Sequence, residues 1–274
     1  MLRKADESDR QCILDYCKDE PSINLFIIGD IELYGFNQTF QEVWIQTETD
    51  TNGEMTKEIT GIVLRYHQNF IIYGKEFIKA DEIVALLKNS EVAIISGKST
   101  VIEKIYPLIN SQFELKALHF AELKSGDLLL KDLSDVSLAD INDATAIASS
   151  YEHISEFDSL YPGDLEIRKR QISNRITSGE GIHLFIRKDG KIISHGNTAA
   201  ENSVSAMIGG VMTLEPYRRN HYSKKVVSAL CKHLFDQGKV ACLFYKGDAC
   251  ANLFHQLGFQ DIDQWHILGG IKNE

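Results

Sequence analysis

In the second half of the chain the apolar positions change period in a fixed order. The run GIHLFIRKDGKIISHGN (181–197) alternates on both sides of Lys188, Asp189 and Gly190, and an Asp-Gly pair between two β-rich runs predicts a hairpin. SVSAMIGGVMTL (203–214) predicts a third strand, ended by Pro216. Val226, Val227, Leu230 and Leu234 then recur at helical spacing, with Gly238 as the stop. KVACLFY (239–245) is apolar throughout, as a central strand covered on both faces must be. A shorter helix follows with Leu253, Phe254 and Leu257 inward, and GFQDIDQWHILGG (258–270) supplies the last strands. Upstream, DINDATAIASSYEHI (140–154) and DLEIRKRQISNRI (164–176) predict two helices.

The first half repeats part of this grammar. DEIVALLKNSEVAIISGKSTVIEKIYPLI (81–109) reads helix, apolar strand, polar turn, helix, and it matches residues 224–257 element for element. At an offset of 148, Lys98 meets Lys246, Ile105 meets Leu253 and Tyr106 meets Phe254. The expected division is a first domain over 1–124 and a second over 125–274, with the boundary in LKSGD (123–127). A single large α+β domain is the alternative.

Composition narrows the class. With 43% hydrophobic and 25% charged residues and four prolines, the sequence reads as globular. A net charge of −10 argues against nucleic acid or an anionic membrane as partner. No apolar run is long enough to span a bilayer and MLRKADESDR lacks a secretory apolar region, so the expected location is the cytoplasm. The five cysteines form no CxxC pair, which argues against a disulfide framework or a zinc ribbon. SGKST (96–100) lacks the glycine six positions before its lysine, where Val92 stands, and reads as a strand-to-helix turn capped by Ser99 or Thr100. His119, His153, His183 and His233 lack metal-ligand spacing and read as surface or structural histidines. No metal site is expected.

Against this acidic background EPYRRNHYSKKVV (215–227) packs Arg218, Arg219, Lys224 and Lys225 around one turn. A strand, a proline turn and an amphipathic helix deliver backbone N–H groups to a helix N-terminus, where four donors are unpaired and the macrodipole is positive. Such a turn binds phosphate. Lys224 and Lys225 in the first helical turn oppose the dipole, at a cost that an anion there would offset. A basic helix start paired with surface acids is the plainer reading.

IGGVMTLEPYRRNHYSKKVVSAL resembles motif A of the GNAT acyltransferase superfamily, a V-x-T strand, a P-x-Y-R turn, then R/Q-x-x-G-x-G/A. Val211, Thr213, Pro216, Tyr217 and Arg218 match it, while His221 takes the place of a glycine and Ser223 that of the closing Gly/Ala. ACANLFHQLGFQ resembles the family's second signature through Ala251, Leu253, Gly258 and Phe259. The resemblance covers about residues 128 to 270. It implies a mixed α+β chain of two GNAT-like domains, each a mostly antiparallel twisted sheet flanked by helices. The first looks degenerate and without a cofactor site, because FIIYG runs almost directly into the next helix.

The cofactor implied is acetyl-CoA or another acyl-CoA. Val211, Met212 and Thr213 would meet its pantetheine arm, and Arg218, Arg219, Asn220, His221, Tyr222, Ser223 and Lys224 its phosphates, with Lys225 a further cation nearby. Asn252 would reach it from the short helix. The reaction implied is attack by an amine of a small-molecule or peptide acceptor on the thioester. The family's glutamate base would fall near Met207 and its tyrosine acid at Phe254, neither of which moves a proton. Tyr245 or His255 could stand in as acid, and Glu201, His195 or a water chain as proton relay. Glu156, Asp158 and Asp164 would suit a cationic acceptor. A non-catalytic acyl-CoA-binding or regulatory protein is the alternative function, and both monomer and homodimer stay open.

Overall fold

A computed structural model describes residues 1–49, 55–75, 78–154, 157 and 164–270. Contacts divide the chain into one unit of Met1–Phe120 with Ile262–Glu274 and a second of Ala121–Asp261. The expected division at 124/125 assigned residues 262–270 to the second domain. They lie instead in the first unit, because the C-terminal segment finds its ladder there.

The first unit contains β1 (Leu2–Lys4), α1 (Arg10–Cys17), α2 (Leu25–Tyr34), β2 (Gln41–Thr49), β3 (Met55–Tyr66), β4 (Asn69–Tyr73), α3 (Ala80–Lys88), β5 (Ile94–Lys98) and α4 (Ser99–Ile105). β6 (Phe113–Leu123) begins in it and ends in the second unit, and β12 (Gln260–Gly270) returns to it. Its strands run β1-β2-β3-β4-β5-β12, with β4 and β5 parallel and the other pairs antiparallel. Residues 260–270 thus make one strand where several were expected. Ile83, Ile102 and Ile105 pack α3 and α4 onto Ile72, Ile95 and Leu268. α4 starts at Ser99 as the SGKST reading requires, but the hydroxyl of Ser99 donates to Asp263 at 3.0 Å and caps nothing.

The second unit holds β7 (Val136–Leu138), α5 (Ala144–Tyr151), α6 (Leu165–Ser178), β8 (His183–Lys188), β9 (Lys191–Ala199), β10 (Ser205–Thr213), α7 (Tyr222–Phe235), β11 (Val240–Tyr245) and α8 (Asp248–His255). β7-β8-β9-β10 are antiparallel, and β11 lies parallel to β10. The β8–β9 turn places Asp189 at φ 48° and Gly190 at φ 77°, the left-handed pair that suits the twist of a two-residue hairpin. α7 lays Val226, Val227, Leu230 and Leu234 on one face of the sheet, against Ile186, Ile208 and Leu243. α5 and α6 cover the other with Ile147, Tyr151 and Ile172, against Phe185 and Met212.

The two units share an element order: strand, capped turn, two helices, three antiparallel strands, helix, parallel strand, helix. Even the capping boxes correspond, Asp6 with Asp9 and Asp140 with Asp143.

Candidate active site

In the second unit β10 and β11 are hydrogen-bonded neighbours only from Ser205↔Val240 to Ile208↔Leu243, whereas β10 runs on to Thr213. The cause is a bulge. β9 pairs Asn197 with Gly209 and His195 with Met212, so Gly210 and Val211 oppose the single residue Gly196. Gly210 sits at φ 59°, and a Cβ there would stand 2.4 Å from Asn197 Oδ1 and 2.6 Å from the Tyr151 hydroxyl. Only glycine fits. Beyond the bulge β10 parts from β11, leaving Val211, Met212 and Thr213 along the opening.

The chain then turns into α7. Arg219 (φ 66°) and His221 (φ 62°) are both left-handed, and alternation of this kind points successive N–H groups into one concavity. His221 is the N-cap of α7 and makes no side-chain capping bond. Lys225 N–H donates to the His221 carbonyl at 3.0 Å, the first bond of the helical ladder, so the earlier amides of the first turn, on Tyr222, Ser223 and Lys224, have no intrahelical acceptor.

Polar side chains brace this turn from behind. Ser194 Oγ donates to the Met212 carbonyl (2.8 Å), so it accepts from Thr213 Oγ1 (2.9 Å), which accepts in turn from Ser223 Oγ (2.6 Å). Asn220 Nδ2 donates to the carbonyls of Tyr217 (3.2 Å) and Arg218 (3.1 Å), and Arg218 Nε to that of Thr213 (3.1 Å). Arg218 and Asn220 therefore shape the loop.

The cations divide by role. Lys225 is held by Asp135 at 2.9 Å and lies 3.5 Å from Asp132, so it belongs to the scaffold. Lys224 donates to the neutral Gln256, and Arg219 is exposed with no ion pair among the described residues. Lys188, which pattern reading left inside a hairpin, donates to the Tyr222 hydroxyl and stands 4.6 Å over its ring. That hydroxyl bond holds its pKa above the usual lysine value. Asn252 is exposed on α8 one turn before Gln256, the Lys224 partner.

Tyr245 and His255 come together with a third group. The buried Tyr245 hydroxyl donates to Asp261 at 2.7 and 2.8 Å and lies 3.1 Å from His255 Nε2, which is 3.3 Å from the same carboxylate. Burial and then Asp261 push the tyrosine pKa up. Asp261 escaped notice because QDIDQW reads as an ordinary alternating strand.

Glu201 is committed to two partners. It accepts from Thr198 Oγ1 (2.6 Å) and pairs with Lys239 (3.0 Å). Burial works to raise its pKa, but these two donors outweigh that and hold it low. Thr198 pairs with Ile208, so the Glu201 carboxylate is held beside the β9–β10 ladder near the level where β10 leaves β11, and Lys239 neutralises it there. Met207 and Phe254 are buried core residues. Glu156 and Asp158 lie outside the described residues, and Asp164 is committed to capping α6 by accepting from Ile167 N–H at 2.9 Å.

Residues 148–259 match the family model described as Acetyltransferase (GNAT) family. Residues 148–259 are a GNAT domain. Solved structures extend the likeness of fold over the whole chain. A Drosophila protein is 12% identical with a TM-score of 0.71, covering 100% of this chain and 99% of its own. A tandem GNAT protein from the clavulanic acid biosynthesis pathway is 10% identical with a TM-score of 0.60, covering 100% and 99%. A GCN5-related N-acetyltransferase-like protein from Streptococcus suis 89/1591 is 15% identical with a TM-score of 0.59, covering 97% and 100%. At these identities the GNAT likeness is one of fold. No curated protein matches the sequence. No helix among the described residues is long and apolar enough to cross a membrane, and no cluster of His, Cys, Asp and Glu among them would hold a metal ion.

Proposed function

We propose that the protein is an N-acyltransferase that moves the acyl group of acetyl-CoA, or of another acyl-CoA, to a primary amine of a small molecule or peptide. The observation that carries this reading is the parting of β10 from β11 immediately before a turn with two left-handed residues and an uncapped helix start. The pantetheine arm of CoA would lie in the opening, and the pyrophosphate of CoA would meet the first-turn amides with Arg219 and Lys224 beside it.

The amine nitrogen attacks the thioester carbonyl, forming a C–N bond as the C–S bond breaks. An outward main-chain N–H of the parted strand stabilises the oxyanion. Tyr245 turns its hydroxyl from Asp261 to give that proton to the departing thiolate, and His255 passes its Nε2 proton to Tyr245 while its Nδ1 takes one from water, because a tyrosinate beside Asp261 is unfavourable. The amine's proton leaves through water, since Glu201, the carboxylate foreseen for it, is already taken up by Lys239 and Thr198.

The first unit serves without cofactor in this reading. Its parallel pair β4/β5 stays closed to Ile72↔Gly97, where a Cβ on Gly97 would stand 2.3 Å from the Ile72 carbonyl oxygen. Lys98 and the Tyr73 hydroxyl both bind Glu20, at 2.9 and 2.8 Å, across the end of those strands. Among its described residues the β4–α3 connection has no left-handed position.

A second reading, acyl-CoA binding without turnover, is favoured by apolar Met207 and Phe254 where the family's base and acid would fall. Thiol release from acetyl-CoA with a panel of primary amines separates the two. Release above the solvent rate supports the transferase, and saturable binding with no release over many amines supports the binder.

A further inference from the structure

The bulge that parts β10 from β11 is held from the α5/α6 side by two buried histidines whose hydrogen bonds fix each other's tautomers. His195 Nδ1 lies 3.1 Å from the Gly210 carbonyl oxygen and 3.2 Å from the Tyr151 hydroxyl, and its Nε2 lies 3.0 Å from His183 Nδ1. A carbonyl can only accept, so His195 carries its proton on Nδ1. Both rings are buried and neutral, desolvation pulling His195 down to about 3 and His183 to about 4. The bare Nε2 of His195 therefore accepts from His183 Nδ1–H, and His183 is left with a lone pair on Nε2, the atom with no partner among the described residues.

The consequence lies on the other side of the peptide. In a trans peptide C=O and N–H point in opposite directions, and the chain has no cis bonds among the described residues. With the Gly210 oxygen drawn to His195, the N–H of the same peptide, on Val211, points away from His195, at the level where β10 has left its β11 neighbour. We propose that His195, oriented by His183, is a positioning residue that aims the Val211 N–H at the thioester carbonyl, so that the protein distinguishes acylated from free CoA. This rests on the acyl-CoA reading above.

Two measurements test it. Long-range ¹H–¹⁵N spectra of the full chain report histidine tautomers, and His195 and His183 should both be in the Nδ1–H form. Calorimetric affinities for acetyl-CoA and CoA should show a preference for acetyl-CoA in the wild type. H195L, which keeps bulk and loses the donor, should cut that preference about 3- to 10-fold, the worth of one hydrogen bond, while CoA affinity stays within about 2-fold. H195N, whose amide still donates, should restore part of it. An Nε2–H tautomer at His195 overturns the inference, with or without cofactor, and so does an undiminished preference in H195L or an equal loss for both ligands. A wild type that binds neither ligand overturns the acyl-CoA reading, and this inference with it.

Discussion

His221 adopts φ 62° and ψ 11° at the head of α7, a conformation that glycine takes at no steric cost. For a side chain with a β-carbon the left-handed region costs roughly 1–2 kcal/mol. Its ring is exposed and gives the helix no capping bond, so nothing local offsets that strain. Replacing it by glycine removes the strain but frees the unfolded chain, which takes back about 0.4–1 kcal/mol. The net gain in H221G is therefore about 0.5–1 kcal/mol, or roughly 1–4 °C in melting temperature. H221A keeps the β-carbon and should gain nothing. Thermal melts of the three proteins in one buffer decide the matter. An H221G protein that melts at or below wild type, or an H221A protein that gains as much, refutes the strain argument. Acetyl-CoA affinity measured alongside should be unchanged in H221G; weaker binding would make the His221 ring a ligand contact.

The same backbone argument splits stability from binding at Arg219. R219G should melt higher than wild type because φ 66° is relieved, yet bind acetyl-CoA about 10-fold more weakly because a charge-assisted phosphate contact is lost; weakened melting or intact binding contradicts it. G210A adds a β-carbon at φ 59° against Asn197 and Tyr151, and should cost about 3 kcal/mol in urea unfolding, strain and displaced buried partners together. A loss under ~1 kcal/mol would mean that the bulge is soft. The two buried histidines have folded pKa values depressed to about 3 and about 4, so below pH 6.5 the unfolded chain binds more protons. Stability should fall as pH drops from 6.5 toward 4, by about 1.4 kcal/mol per pH unit for each histidine. H183N should flatten that slope by one histidine's share between pH 5 and 6, and an unchanged slope speaks against a neutral buried ring.

Much of the second unit was legible because its signals are local. Asp189-Gly190 fixes a hairpin by turn chemistry, Val226 to Leu234 form one helical stripe, and the apolar run to Tyr245 has the length of a buried strand. The turn into α7 was legible for the same reason, since strand, proline turn and basic helix start are contiguous. What failed depends on partners distant in sequence. Residues 260–270 alternate like any strand, and nothing in them says that β5 is their neighbour. Glu201 resembles a free loop acid until Lys239, 38 positions on, neutralises it. His183, His195 and Tyr151 meet only because β8, β9 and α5 stack at the β10 bulge, so His183 read as a stray structural histidine. The Gly209-Gly210 pair carried the one available hint, that a backbone is approached closely there, without naming what approaches it.

Isothermal titration of the full chain with acetyl-CoA tests the central claim most directly. The account predicts saturable binding at one cofactor per chain, in the ~1 μM to 1 mM range usual for enzyme substrates. No heat at millimolar cofactor, or two equivalents bound, would contradict it.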